Sequence, residues 1–269
     1  MTFSNRHAVL LVGALGVLVG CGSDPQVPSA ATATASTTIS AAVAATVAAV
    51  PAVRVTDAKG KGIKNILVRW RIASGGGKVI NDSVLTTASG DASSGGWTLG
   101  TTSGQQTLQA TADGIAAVTF TATASPGPLS RLTPVTLVDQ QAPVNTPVPS
   151  LPAVRAEDQY GNPISGAAVV FTIVQGNGVL VGAQQSTNEL GVAAVGAWTI
   201  GRAIGQQIVT ATAIGSNPAV FSVNALAGPP ADLLRVVGDN QAGVANINIG
   251  TPPGVRVVDA AGNTSSAYH

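Results

Sequence analysis

Few residues in this chain can do chemistry, and their spacing says more than their number. Asp57, Asp158 and Asp259 stand 101 residues apart each time (158 − 57 and 259 − 158). A glycine follows each one three residues on, at Gly60, Gly161 and Gly262. Glu157 adjoins the second aspartate, and Glu189 is the only other glutamate. A carboxylate placed before a glycine can accept backbone N–H bonds and start an Asx-type turn. The same carboxylates, with Asp139 and Asp239 near the junctions of the repeat, could also face calcium. That ion needs about six to eight oxygens, and one or two carboxylates per junction supply few of them. The turn reading is the stronger, and neither metal nor cofactor is expected.

The remaining reactive types are scarce. The two histidines are His7 and His269, so neither falls inside the body of the chain, and the usual general base and metal ligand are missing there. Cys21 is the only thiol. No G-x-S-x-G, P-loop or HExxH pattern occurs. The glycine run Ser74–Lys78 lacks the Gly-Lys-Ser/Thr ending of a phosphate loop and reads as a flexible inter-strand loop. The pairs Gln105-Gln106 and Gln206-Gln207 each follow a glycine and read as polar caps of a hairpin. These residues give no support to an enzyme.

The elements that position these residues repeat with them. The 101-residue offset also relates Arg54, Arg155 and Arg256, then Trp97 and Trp198, Phe120 and Phe221, and Gly127-Pro128 and Gly228-Pro229. A period of that length is too long for a solenoid and fits one independently folding small domain. Inside a unit the period is two. In the stretch from Gln206 to Ile214, Val209, Ala211 and Ala213 share one face, while Ile208, Thr210 and Thr212 share the other. Turns punctuate these strands at Gly161-Asn162-Pro163, Gly176-Asn177-Gly178 and Asn188–Gly191. In the phrase Val154–Gly166, alternation turns Val154 and Ala156 inward and Arg155 and Glu157 outward. Aromatics are 3% of the chain, so each one buries a large share of the apolar area. Trp70, Trp97 and Phe120 are expected to anchor one core, and Phe171, Trp198 and Phe221 the next. The chain is expected to be all-β: tandem β-sandwiches, with the third repeat incomplete.

The amino terminus reads as an address. Arg6 precedes an uncharged run, Ala8–Val19, that is too short to span a membrane comfortably. The run closes on Leu18-Val19-Gly20-Cys21, which resembles a bacterial lipoprotein signal with its lipobox. The resemblance implies cleavage before Cys21 and lipidation of that thiol; a plain secretory signal or a short anchor helix is the alternative. With 13 basic and 12 acidic residues, loss of Arg6 leaves the charges balanced. No electrostatic footprint for nucleic acid remains. Residues 1–20 are thus expected to be a leader and 21–35 a Ser/Thr/Ala-rich tether. Repeats follow at 36–126 and 127–227, with a partial one at 228–269.

The phrases Val154–Ile164, Val170–Ile173, Asn188–Ala193, Gly201–Ala213 and Phe221, in that order, resemble bacterial immunoglobulin-like repeats of the invasin/intimin (Big-1) type. The second unit matches best. The first carries Lys61 and Gly62 where the second has Asn162 and Pro163. The resemblance implies a surface-exposed structural or adhesive module: a lipid-anchored array acting as stalk or adhesin, exported to the outer membrane or cell surface. Its ligand would be a protein or a glycan. A glycan-binding module is the alternative, with Tyr160 as the candidate contact and Tyr268 the other tyrosine. An accessory region of a larger enzyme is a further one. The third unit is expected to lack the later strands of the sandwich, and so to be poorly ordered or to pair opportunistically. A truncated reading frame or a partial chain would explain it.

Overall fold

The computed structural model describes residues 27–265. The leader, Cys21, Tyr268 and His269 lie outside the described residues.

Every regular element among the described residues is a strand. The first unit contains β1 (Ala30–Ala33), β2 (Thr38–Ala42), β3 (Ala52–Thr56), β4 (Leu67–Ser74), β5 (Gly77–Val79), β6 (Ser83–Leu85), β7 (Asp91–Ser93), β8 (Trp97–Leu99), β9 (Gly104–Thr111) and β10 (Val118–Ser125). The second repeats the order with β11 (Arg131–Pro134), β12 (Asp139–Pro143), β13 (Ala153–Glu157), β14 (Ala168–Gln175), β15 (Val179–Val181), β16 (Gln184–Ser186), β17 (Val192–Ala194), β18 (Ala197–Thr199), β19 (Gly205–Thr212) and β20 (Ala219–Leu226). The described part of the third holds β21 (Pro230–Val237) and β22 (Gly254–Asp259).

Each full unit is a sandwich. A three-stranded sheet, β1-β3-β7 or β11-β13-β17, faces a five-stranded one, β2-β10-β9-β4-β6 or β12-β20-β19-β14-β16. A short ladder, β5-β8 or β15-β18, closes the side. The pairs β2–β10 and β12–β20 run parallel, while every other ladder is antiparallel. Inward positions fill the space between the sheets at two-residue intervals, as the pleat requires. Trp70 and Phe120 pack 5.8 Å apart in the first core. Trp97, Phe120, Trp198 and Phe221 are shut off from solvent, as are Trp70 and Phe171. The indole N–H groups of Trp70, Trp97 and Trp198 have no hydrogen-bond partner.

Four expectations change. The stretch read as a tether to residue 35 contains β1, which pairs with β3 from Ala30↔Thr56 to Ala33↔Val53. Small Ala and Thr side chains fit a pleated edge and give no sequence signal of their own. The glycine run is no loose loop: Gly77–Val79 pairs with Trp97–Leu99. A Cβ on Gly77 would stand 2.2 Å from the Thr98 carbonyl oxygen, so close backbone approach selects glycine there. Glu157 is buried although alternation turns it outward. Arg131 Nε and Thr133 Oγ1 both donate to its Oε2, at 2.7 and 3.0 Å, and roof it over. The third unit does not pair opportunistically. Its β21 meets β22 over Asp232–Arg235 in the register in which β11 meets β13, with shifts at Pro230/Asp232 and Arg235/Val237 that those ladders lack.

Candidate functional site at the unit junction

The recurring Asp-x-x-Gly phrase closes the central strand of each three-stranded sheet, β3 and β13, and its counterpart β22; at Asp158 and Asp259 the turn lies where one unit meets the previous one. The backbone folds back locally: Gly161 N donates to Asp158 O at 3.1 Å, and Gly161 takes a φ of +86°, open to glycine. Asp158 Oδ1 accepts the N–H groups of Tyr160 and Asn162, at 2.8 and 2.9 Å. This is the Asx turn of the sequence reading.

The second oxygen does something the sequence did not suggest. Asp158 Oδ2 accepts Gly127 N, 31 residues earlier at the boundary between units, at 2.8 Å. It also accepts Asn162 Nδ2 at 2.8 Å. So held, the Asn162 amide reaches into the first unit. Its Nδ2 donates to Thr101 O and its Oδ1 accepts Ser103 N, both at 2.8 Å. An amide side chain paired this way imitates one rung of a β ladder.

The loop it grips is itself braced from inside. Gln106 is buried, not a hairpin cap as its sequence position suggested. Its Oε1 accepts Gly100 N at 2.7 Å and its Nε2 donates to Thr102 O at 2.8 Å. The carbonyl and N–H that Asn162 needs are thereby fixed in place. Gly75, at φ +84°, leaves room for this side chain, since a Cβ there would lie 2.2 Å from Gln106 Cγ. Gln207 repeats the brace on Gly201 and Ala203 in the second unit. Gln105 and Gln206 are exposed.

One period later the clasp recurs with a single bond to the preceding unit, without the counterpart of Ser103 N. Asp259 Oδ1 accepts Ala261 N and Asn263 N, and its Oδ2 accepts Gly228 N at 2.8 Å. Asn263 Nδ2 donates to Arg202 O of the second unit at 2.9 Å. In the first unit only the turn is present: Asp57 Oδ1 accepts Lys59 N and Lys61 N. Lys61 stands where Asn162 and Asn263 stand, so the first unit has the turn without the reaching amide.

The electrostatics follow from these bonds. Burial alone would raise the Asp158 carboxyl. The donors on Asn162, Gly127 and Tyr160 outweigh it and hold the group below its ordinary value. For Asp259 the same balance, burial against donors from Asn263, Gly228 and Ala261, brings it down to about 2. Glu157 is lowered too, with burial opposed by Arg131, Thr133 and Arg155. Each Asp158 oxygen already accepts two donors, which leaves it poorly disposed to ligate a cation. Among the described residues no three His, Cys, Asp or Glu side chains come together. Tyr160 is 44% exposed and lies in the clasp turn.

No protein-family model and no curated protein matches the sequence. Solved structures do. InvD of Yersinia pseudotuberculosis is 20% identical with a TM-score of 0.50, over 87% of this chain and 72% of that one. FdeC, an Escherichia coli adhesin, is 15% identical with a TM-score of 0.49, over 88% and 77%. Invasin, a bacterial integrin-binding protein, is 21% identical with a TM-score of 0.44, over 89% of this chain and 48% of invasin. At these identities the likeness speaks to fold alone. The chain is an all-β tandem array of immunoglobulin-like domains with the invasin/intimin-type fold.

Proposed function

We propose that this chain is a non-catalytic module of the bacterial cell surface, a lipid-anchored run of immunoglobulin-like units that serves as stalk or adhesin. The observation that carries the reading is the clasp at Asp158 and Asn162, in which the Asn162 amide bonds across to Thr101 and Ser103 of the first unit. A spacer must resist bending between its beads, and a hydrogen-bonded junction built from buried side chains does that. The repeat of the device at Asp259 and Asn263 supports the same reading. The charge-balanced composition, with 13 basic and 12 acidic residues and no basic cluster, agrees with exposure outside the cell. The Leu18–Cys21 sequence supplies the anchor: the Cys21 thiol takes the lipid, and cleavage before Cys21 leaves the lipidated residue at the new amino terminus.

Two measurements on bacteria expressing the full chain test this. Radioactive palmitate should label the protein and should be lost in Cys21→Ala. An antibody to the second unit should stain intact cells. Unchanged labelling in the variant removes the lipid anchor, and staining only after cell lysis removes the surface role.

A further inference from the structure

The outward face of the second unit's five-stranded sheet carries a groove of about 490 Å³ lined by Asp139, Gln140, Gln141, Gln206, Ser222 and Asn224. Its walls are two cross-strand rows. Gln141, Asn224 and Gln206 lie side by side on β12, β20 and β19, and Asp139, Ser222 and Ile208 form the next row. Strands lie about 4.8 Å apart, so the row of three amides extends over roughly 10 Å. Asp139 Oδ1 and Ser222 Oγ are hydrogen-bonded. Gln140 turns away from the groove, donating to Ser150 O and accepting Ser150 N, and anchors β12 beneath it.

The first unit is an internal control. At the same six positions it has Thr38, Ile39, Ser40, Gln105, Thr121 and Thr123. Threonine suits an exposed strand, whereas Asp and Asn are disfavoured there. Asp139 stands in place of Thr38 and Asn224 in place of Thr123, poorer strand formers on the adjacent strands β12 and β20, while Gln206 on β19 matches Gln105. Local departures from strand preference of this kind concentrate at functional sites.

The lining chooses the ligand class. No Lys or Arg lines the groove, which disfavours phosphate, sulfate and other anions. No aromatic side chain lines it, and Ile208 beside Ser222 is half-buried, which disfavours an apolar ligand. One carboxylate is too few for a hard cation. Three amides that donate and accept, a hydroxyl and an accepting carboxylate suit a neutral molecule dense in hydroxyl groups. We propose that this groove binds an uncharged oligosaccharide laid across β12, β20 and β19. The site is separate from Tyr160 and from the clasp, so it stands or falls independently of junction stiffness.

The test is an NMR titration of the isotope-labelled chain with cellohexaose, xylohexaose, mannohexaose, maltohexaose and chitohexaose in turn. The side-chain NH₂ signals of Gln141, Gln206 and Asn224 report directly. At least one sugar should shift these signals in a saturable way. The variant Gln141→Ser/Asn224→Thr, which installs the first unit's residues, should bind that sugar about tenfold more weakly, the scale of a lost hydrogen bond. Its backbone spectrum should otherwise match the parent. Asp139→Thr should weaken binding likewise. No saturable shift with any of these sugars overturns the proposal. So does a shift mapping to other residues, or equal affinity in the variants.

Discussion

Replacing Asn162 with alanine removes both bonds by which the second unit holds the loop of the first. Asn162 is 6% exposed, so water does not readily take over its partners. At about 1 kcal/mol net for each of the two bonds to Thr101 and Ser103, the clasped arrangement loses about 2 kcal/mol. The ratio of clasped to unclasped molecules then falls about thirtyfold. The fold of each unit is untouched, because the Asx turn is made by the Asp158 carboxylate and survives. Spin labels at Thr119→Cys and Val220→Cys, equivalent exposed positions one period apart, read the junction by electron–electron dipolar spectroscopy, with Cys21→Ser removing the native thiol. The parent should give a narrow distance distribution and Asn162→Ala a broad one. Asn162→Lys, the residue the first unit carries, should broaden it as well. A variant as narrow as the parent would refute the claim that the amide fixes the junction.

Three further outcomes follow from the same bonds. Asp158→Asn is nearly isosteric, yet turning an NH₂ toward Gly127 N and Asn162 Nδ2 sets donor against donor; hydrogen exchange at Gly127 should rise severalfold, on the order of 1–2 kcal/mol. Because the folded values of Asp158 and Asp259 are depressed, their contribution is complete above the ordinary carboxylate range and is lost as pH falls through the folded value. For Asp259 that window runs from about 4 down to about 2, so amide exchange at Gly228, whose N–H its Oδ2 accepts, should stay protected relative to its intrinsic rate at pH 5 and lose that protection toward pH 2. Gln106→Leu strands Gly100 N and Thr102 O, and urea unfolding followed in the first unit should show a loss of about 2 kcal/mol.

Much of this architecture is legible in the sequence, and the remainder is hidden for identifiable reasons. The period of 101 residues, the alternation of strands such as Gly205–Thr212 and the aromatic core positions all come from side-chain pattern, which burial dictates. The turn at Asp158 was readable because its partners are local. The clasp was not, because Asn162 binds a carbonyl and an N–H of a loop some 60 residues earlier, and backbone atoms leave no signature in side-chain types. One trace existed: Asn at 162 and 263 but Lys at 61. Gln106 was misplaced for a related reason. Its polarity argues for the surface, and only the facing N–H and carbonyls of its own loop make burial tolerable. Glu157 broke the alternation because Arg131 and Thr133 cover it from β11. In β1 the alanines and threonines were too small to stand out from a tether.

The most direct measurement is backbone nitrogen relaxation on the intact chain, giving the rotational diffusion of the first and second units separately. If the clasp joins them, both units report one common elongated diffusion tensor, and Asn162→Ala splits it into two. Two faster, independent tensors in the unmodified protein would contradict a locked junction, and with it the reading of the chain as a stiff surface spacer.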